Sequence, residues 1–142
     1  MLRSLFAIIS GLFAMMIVVT FAGIANAKLF PPMPGTQPAA ALAALPQAAK
    51  LLIVAGNCLG PMIGAAVAAR IATPRLMVAL LIGAAATVFN FENASGIPYP
   101  TWMFWTVTLL PLPLAGLAAR WLGPVPPVLP EPKAWPKDAK SD

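Results

Sequence analysis

Three residues carry most of the chemistry this chain can offer. Asn57 and Pro61 fall inside the apolar run Gly56-Asn57-Cys58-Leu59-Gly60-Pro61-Met62-Ile63-Gly64. On a helix, Pro61 supplies no N–H to the carbonyl four residues back, which belongs to Asn57. A freed carbonyl beside a primary amide makes a polar site within an apolar segment, suited to an ion or a polar solute. The same pair reads equally as an interhelical hydrogen bond at a kink. Glu92 is the third, the only acidic residue before the C-terminal tail. A carboxylate deep in an apolar segment marks function by default. Placed between Asn90 and Asn93 at the end of a segment, it also reads as a solvated or lysine-paired interfacial group.

What is missing narrows the classes further. The chain has no histidine, which removes the commonest metal ligand and general base. Acid–base catalysis by Glu92 would need a second titratable group beside it, and the nearest candidates are Lys28 and Lys50. The lone cysteine, Cys58, has no disulfide partner in the chain and sits among apolar neighbours, as a small buried hydrophobe does. The glycines are flanked by apolar residues and lack the Lys-Ser/Thr ending of a phosphate loop. The expectation is a non-enzymatic protein with no catalytic residues, cofactor or metal.

The elements that must hold these residues follow from composition. Of 142 residues, 60% are hydrophobic and 9% charged, against about 25% charged in a soluble domain. Mean hydropathy is +0.84. So few charges cannot cover a water-facing surface, and the lipid bilayer is the expected partner. The net charge of +5 does not indicate nucleic acid, because Lys and Arg are spread between apolar runs, where they set membrane topology.

Four runs are read as spans, the third of them short, with only 16 uncharged residues between Arg75 and Glu92, so that Arg75 must snorkel at one end. Between Arg3 and Lys28 lie 24 uncharged residues, so a helix over about 5–25 crosses a core that needs roughly 20. Arg3 and Ala25-Asn26-Ala27 also suit a secretory leader, but the apolar stretch exceeds the ~7–15 residues of such a region, and retention is expected. Pro31-Pro32-Met33-Pro34-Gly35 then forbids a helix. Pro38 opens the alanine-rich 39–45, read as a short interfacial helix closed by Pro46. The second span, about 47–70, has 19 uncharged residues between Lys50 and Arg70. Thr73 is expected to cap the third span with Pro74 as its first residue, running over about 74–90. Tyr99, Trp102 and Trp105 mark the entry of the fourth span, 101–121, where Pro111 and Pro113 are expected to kink it.

The fold class expected is therefore an all-α membrane protein. A four-helix transmembrane domain over 1–123 is followed by a disordered proline-rich tail over 124–142. With the N-terminus cytoplasmic, Arg3, Arg70, Arg75, Arg120, Lys133, Lys137 and Lys140 are inside and only Lys28 and Lys50 outside. This positive-inside bias puts both termini on the cytoplasmic face of a bacterial inner membrane. Leader cleavage would leave three spans in the same orientation. Gly56, Gly60, Gly64 and Ala68 recur every four residues and make a smooth ridge for close helix packing, within the chain or in a homodimer.

The runs Ile9-Ser10-Gly11, Met15 to Thr20, Gly60 to Ala72 and Ile97-Pro98-Tyr99-Pro100-Thr101-Trp102 carry a resemblance. The chain resembles a group of small uncharacterised four-span bacterial membrane proteins of proteobacterial type, over all four spans but not the tail. The resemblance implies the fold and brings no activity with it. It departs at Tyr99, where such proteins often carry histidine, so no shared protonatable group follows. Small four-span efflux pumps rely on a glutamate in the first span, and none is present here. The function expected is that of a structural or accessory component, alone or in a larger membrane complex. The alternative is a small solute or ion transporter or channel using Asn57 and Pro61.

Overall fold

The computed structural model describes residues 2–31, 35, 38–97 and 99–121, and within them every regular element is a helix. In chain order these are α1 (Leu2–Leu29), α2 (Pro38–Ala44), α3 (Gln47–Ile71), α4 (Arg75–Ser95), α5 (Thr101–Leu109) and α6 (Pro111–Trp121). Four stretches are long and apolar enough to cross a membrane: α1, α3, α4, and α5 with α6 taken together. The tail from residue 122 onward, with its three lysines, lies outside the described residues, as do Pro32 to Pro34.

Breakers decide where the helices stop. α1 meets none before Pro31, so it runs past the expected boundary at Ala25, and Phe30 N still donates to the Asn26 carbonyl at 2.8 Å. α3 starts after Pro46 and passes through Pro61 without ending. α4 departs from expectation at both ends. Its N-cap is Pro74, no side chain caps it, and the expected Thr73 cap is not made. The first ladder bond runs from Val78 N to the Pro74 carbonyl, one residue too late for Thr73 to cap. At the other end α4 continues past Asn90 to Ser95, because no breaker precedes Gly96. Its last turn is braced from within, Asn93 Nδ2 donating to the Phe89 carbonyl at 2.7 Å and Ser95 Oγ to that of Glu92 at 2.8 Å.

In the fourth span the regular helix is interrupted at Leu110, whose N–H still donates to the Thr106 carbonyl. Its backbone stays right-handed, with φ −68° and ψ −32°. Neither Pro111 nor Pro113 has an N–H, and the ladder resumes with Leu114 N donating to the Leu110 carbonyl.

The interior is built of small residues. Ala7, Ala65, Ala68, Ala69, Ala79 and Ala115 are buried, and the largest fully buried side chains are Ile82, Met103, Pro61 and Pro111. Large apolar side chains face outward instead, with Phe13 68% and Phe21 69% exposed. Small residues let backbones come close, so packing contacts accumulate without bulky knobs.

α1 and α3 are antiparallel, and Arg3 Nε donates to the Ile71 carbonyl at 2.7 Å. That bond places Arg3 beside the end of α3, close to Arg70 and Arg75, and Arg75 shares a groove with Arg120. The four arginines therefore gather at one end of the bundle. Lys28, Lys50 and Glu92 lie at the opposite end, in the last turn of α1, the first turn of α3 and the last turns of α4.

Candidate functional site

The ridge on α3 is where two backbones come nearest. Along it, Gly56 faces Ala22, Gly60 faces Met15 and Val19, Gly64 faces Gly11 and Met15, and Ala68 faces Gly11. A Cβ built at Gly64 would lie 2.5 Å from the Gly11 carbonyl oxygen and 2.9 Å from Met15 Cβ. Only glycine fits there without moving a backbone. α1 occupies this ridge inside one chain. A second approach of the same kind joins α4 to α6. A Cβ at Gly83 would lie 2.8 Å from Ala115 Cβ and 3.2 Å from the Pro111 carbonyl oxygen.

Asn57 and Pro61 sit on the same helix as that ridge. Pro61 is fully buried and Asn57 half-buried. The Asn57 amide Nδ2 donates to the Ile53 carbonyl at 2.9 Å. One of its two N–H groups is thus spent on its own helix, and among the described residues the side chain makes no hydrogen bond to a neighbouring helix. Glu92 is exposed in the last turns of α4 and edges an apolar groove with Val88 and Phe89. No ion pair joins it to Lys28 or Lys50, and Lys50 Nζ donates to the Ala43 carbonyl at 3.0 Å. Asn57 and Glu92 are therefore not brought together into one site. Among the described residues, no group of three His, Cys, Asp or Glu side chains converges to hold a metal.

The buried polar groups collect elsewhere, at the break in the fourth span. Pro111 leaves the Val107 carbonyl without a helical donor. Buried Asn90 supplies one from α4, its Nδ2 lying 2.8 Å from that oxygen. This crosslink ties α4 to α5 at the point where the ladder fails. Next to it in sequence, Thr108 is buried and its hydroxyl has no partner; neither does the hydroxyl of Thr87, one turn before Asn90 on α4. Sequence reasoning placed Asn90 at the wet end of the third span. The signal for its role was present, because a proline four residues after Val107 always frees that carbonyl.

A second polar feature lies at the lysine end. A cavity of about 240 Å³ is walled by Gly23 and Asn26 of α1, Leu42 of α2, and Ile97 and Tyr99 of the α4–α5 connection. Asn26 is buried, and its Oδ1 accepts no hydrogen bond. Burial pushes the Tyr99 hydroxyl above its ordinary pKa, so the phenol stays protonated and can donate. In the sequence Asn26 stood out only as the middle of an A-x-A tripeptide.

No family model, curated protein or solved structure matches the chain.

Proposed function

We propose that the chain is a multi-pass protein of a bacterial inner membrane, with a non-enzymatic, accessory role. The observation that carries this reading is the inverted packing. Bulky apolar side chains face outward on all four long stretches while alanine and glycine fill the interior. Such a surface is stable only against lipid or another apolar helix. α2 then lies along the outer interface. The glycine ridge of α3 has α1 as its partner, so cleavage after Ala27 would strip the ridge bare, and α1 stays in the mature protein. The half-exposed face of α1 (Phe6, Phe13 and Phe21 among others) is lipid-covered or shared with a larger complex.

The accessory reading is tested by reconstitution. Proteoliposomes holding the purified protein are expected to show no ion or solute flux above empty vesicles. In native membrane extracts the protein is expected to migrate in an assembly larger than the purified chain. Flux that disappears in Asn57→Leu, with the thermal transition unchanged, would overturn it in favour of a transporter or channel.

One observation favours that second reading, the interrupted fourth span. Transporters often build their sites where a spanning helix is broken and backbone carbonyls are freed. On this reading a solute site lies at Thr108 and Asn90, beside the break, and Thr108→Val would lower flux.

Orientation follows from the charges. Four arginines lie at one end and two lysines at the other, and the basic-rich end is cytoplasmic under the positive-inside bias. A reporter active only in the cytoplasm is expected to work when fused after residue 142 and to fail when inserted at Gly35. The reverse pattern would refute the orientation.

A further inference from the structure

We infer that the groove between the start of α4 and the end of α6 binds an anionic phospholipid. The inference rests on the membrane reading above and adds a ligand to it. The groove holds about 620 Å³ and is edged by Arg75 and Arg120, with Leu76, Pro113, Gly116 and Leu117 along its walls.

Charge and shape both point to one occupant. Two guanidinium groups lie at the mouth of a groove that is otherwise apolar. Arginine binds a phosphate through two parallel N–H···O bonds, and its charge persists at any physiological pH. Basic pockets between spanning helices on the cytoplasmic side suit acidic lipid headgroups. Arg75 also opens α4, whose N-terminus has no side-chain cap. The positive end of the helix dipole therefore adds to the two side chains. Below the headgroup, Leu76 is 56% and Leu117 43% exposed, so an acyl chain has apolar walls to lie against. Gly116 deepens the groove because it carries no side chain. The groove beside Glu92 is edged by a carboxylate, which repels a phosphate.

The test is native mass spectrometry of the full chain released from a mild detergent with equimolar phosphatidylglycerol and phosphatidylcholine. Phosphatidylglycerol adducts are expected to dominate. Their relative binding should fall roughly fivefold in Arg120→Gln and roughly thirtyfold in Arg75→Gln with Arg120→Gln, in line with one and two basic contacts. Lys28→Gln with Lys50→Gln removes the same charge from the other end and should leave the preference unchanged. Gly116→Leu fills the groove while keeping both arginines, and should also abolish it. Each variant is first checked for an intact thermal transition. Equal loss in the lysine and arginine variants would reduce the effect to net charge and overturn the inference. So would retention in Gly116→Leu, or displacement of the lipid by millimolar inorganic phosphate, which would make the groove a plain anion site. Release of the protein from membranes by an alkaline wash would refute the membrane reading itself, whatever the lipid preference.

Discussion

Gly64→Leu is expected to unseat α1 from α3 and to abolish cooperative thermal unfolding in detergent. At this position even a methyl group meets backbone, 2.5 Å from the Gly11 carbonyl oxygen. Overpacking of a filled interior costs about 1–3 kcal/mol, so Gly64→Ala should lower the melting temperature measurably and leucine should exceed that. An opposing effect exists, because Gly→Ala inside a helix gains roughly 0.5–1 kcal/mol. The steric term wins at Gly64, where the obstacle is another helix's backbone and cannot rotate away. Gly23 supplies the contrast. Nothing lies within 4 Å of a Cβ built there, so Gly23→Ala should be neutral or slightly stabilising. Cys58 gives the readout, since the residue is buried in the folded chain and its thiol is expected to react with a thiol dye only on unfolding. Gly64→Leu melting alongside Gly23→Ala would disprove the α1–α3 contact.

Asn90→Leu is expected to destabilise the bundle by about 1 kcal/mol, within the ~0.6–1.7 kcal/mol measured for interhelical hydrogen bonds in membranes. The loss should depend on Pro111. In wild type, the Asn90 amide is the donor that the Val107 carbonyl lacks. Alanine at 111 restores a backbone N–H at the right place, so Asn90→Leu should cost less in a Pro111→Ala background. The cycle separates this coupling from the cavity that Pro111→Ala leaves, because the cavity is common to both arms. Equal costs in the two backgrounds would show that Asn90 does not serve the freed carbonyl. A fall in stability with no coupling would assign Asn90 to packing alone.

Much of the architecture was readable from residue order. The spacing of charges located four long apolar stretches, and prolines marked most of their ends. Thr73 misled because a cap residue helps only at the position whose carbonyl takes the first ladder bond. Here that position fell to Pro74. The end of α4 was misplaced because Glu92 and the two asparagines read as loop, whereas helix continues until something stops it. Asn93 and Ser95 even support the last turn by bonding back to it.

The candidate site was less legible. Asn57 and Pro61 were picked out by a sound rule, that a proline frees the carbonyl four residues back. The same rule applied to Pro111 leads to Val107, and there a buried asparagine from another helix fills the vacancy. Period and composition reveal which carbonyl is freed, since that is local covalent geometry. Which side chain reaches it depends on how two helices cross.

Residue order alone established the all-helical class, the four apolar stretches, the arginine–lysine asymmetry and the spacing-of-four glycine ridge. Each of these is a property of one segment or of its charges. Tertiary structure decided that α1 occupies the ridge, that the Asn57 amide closes on its own turn, and that Asn90 rather than Asn57 links two helices. It also brought Arg75 and Arg120, 45 residues apart in sequence, to the mouth of one groove. Hydrophobic pattern makes nearly every face of these helices alike, so it does not choose partners. Close approach at Gly11, Gly64 and Gly83, which no pattern of polarity encodes, makes that choice.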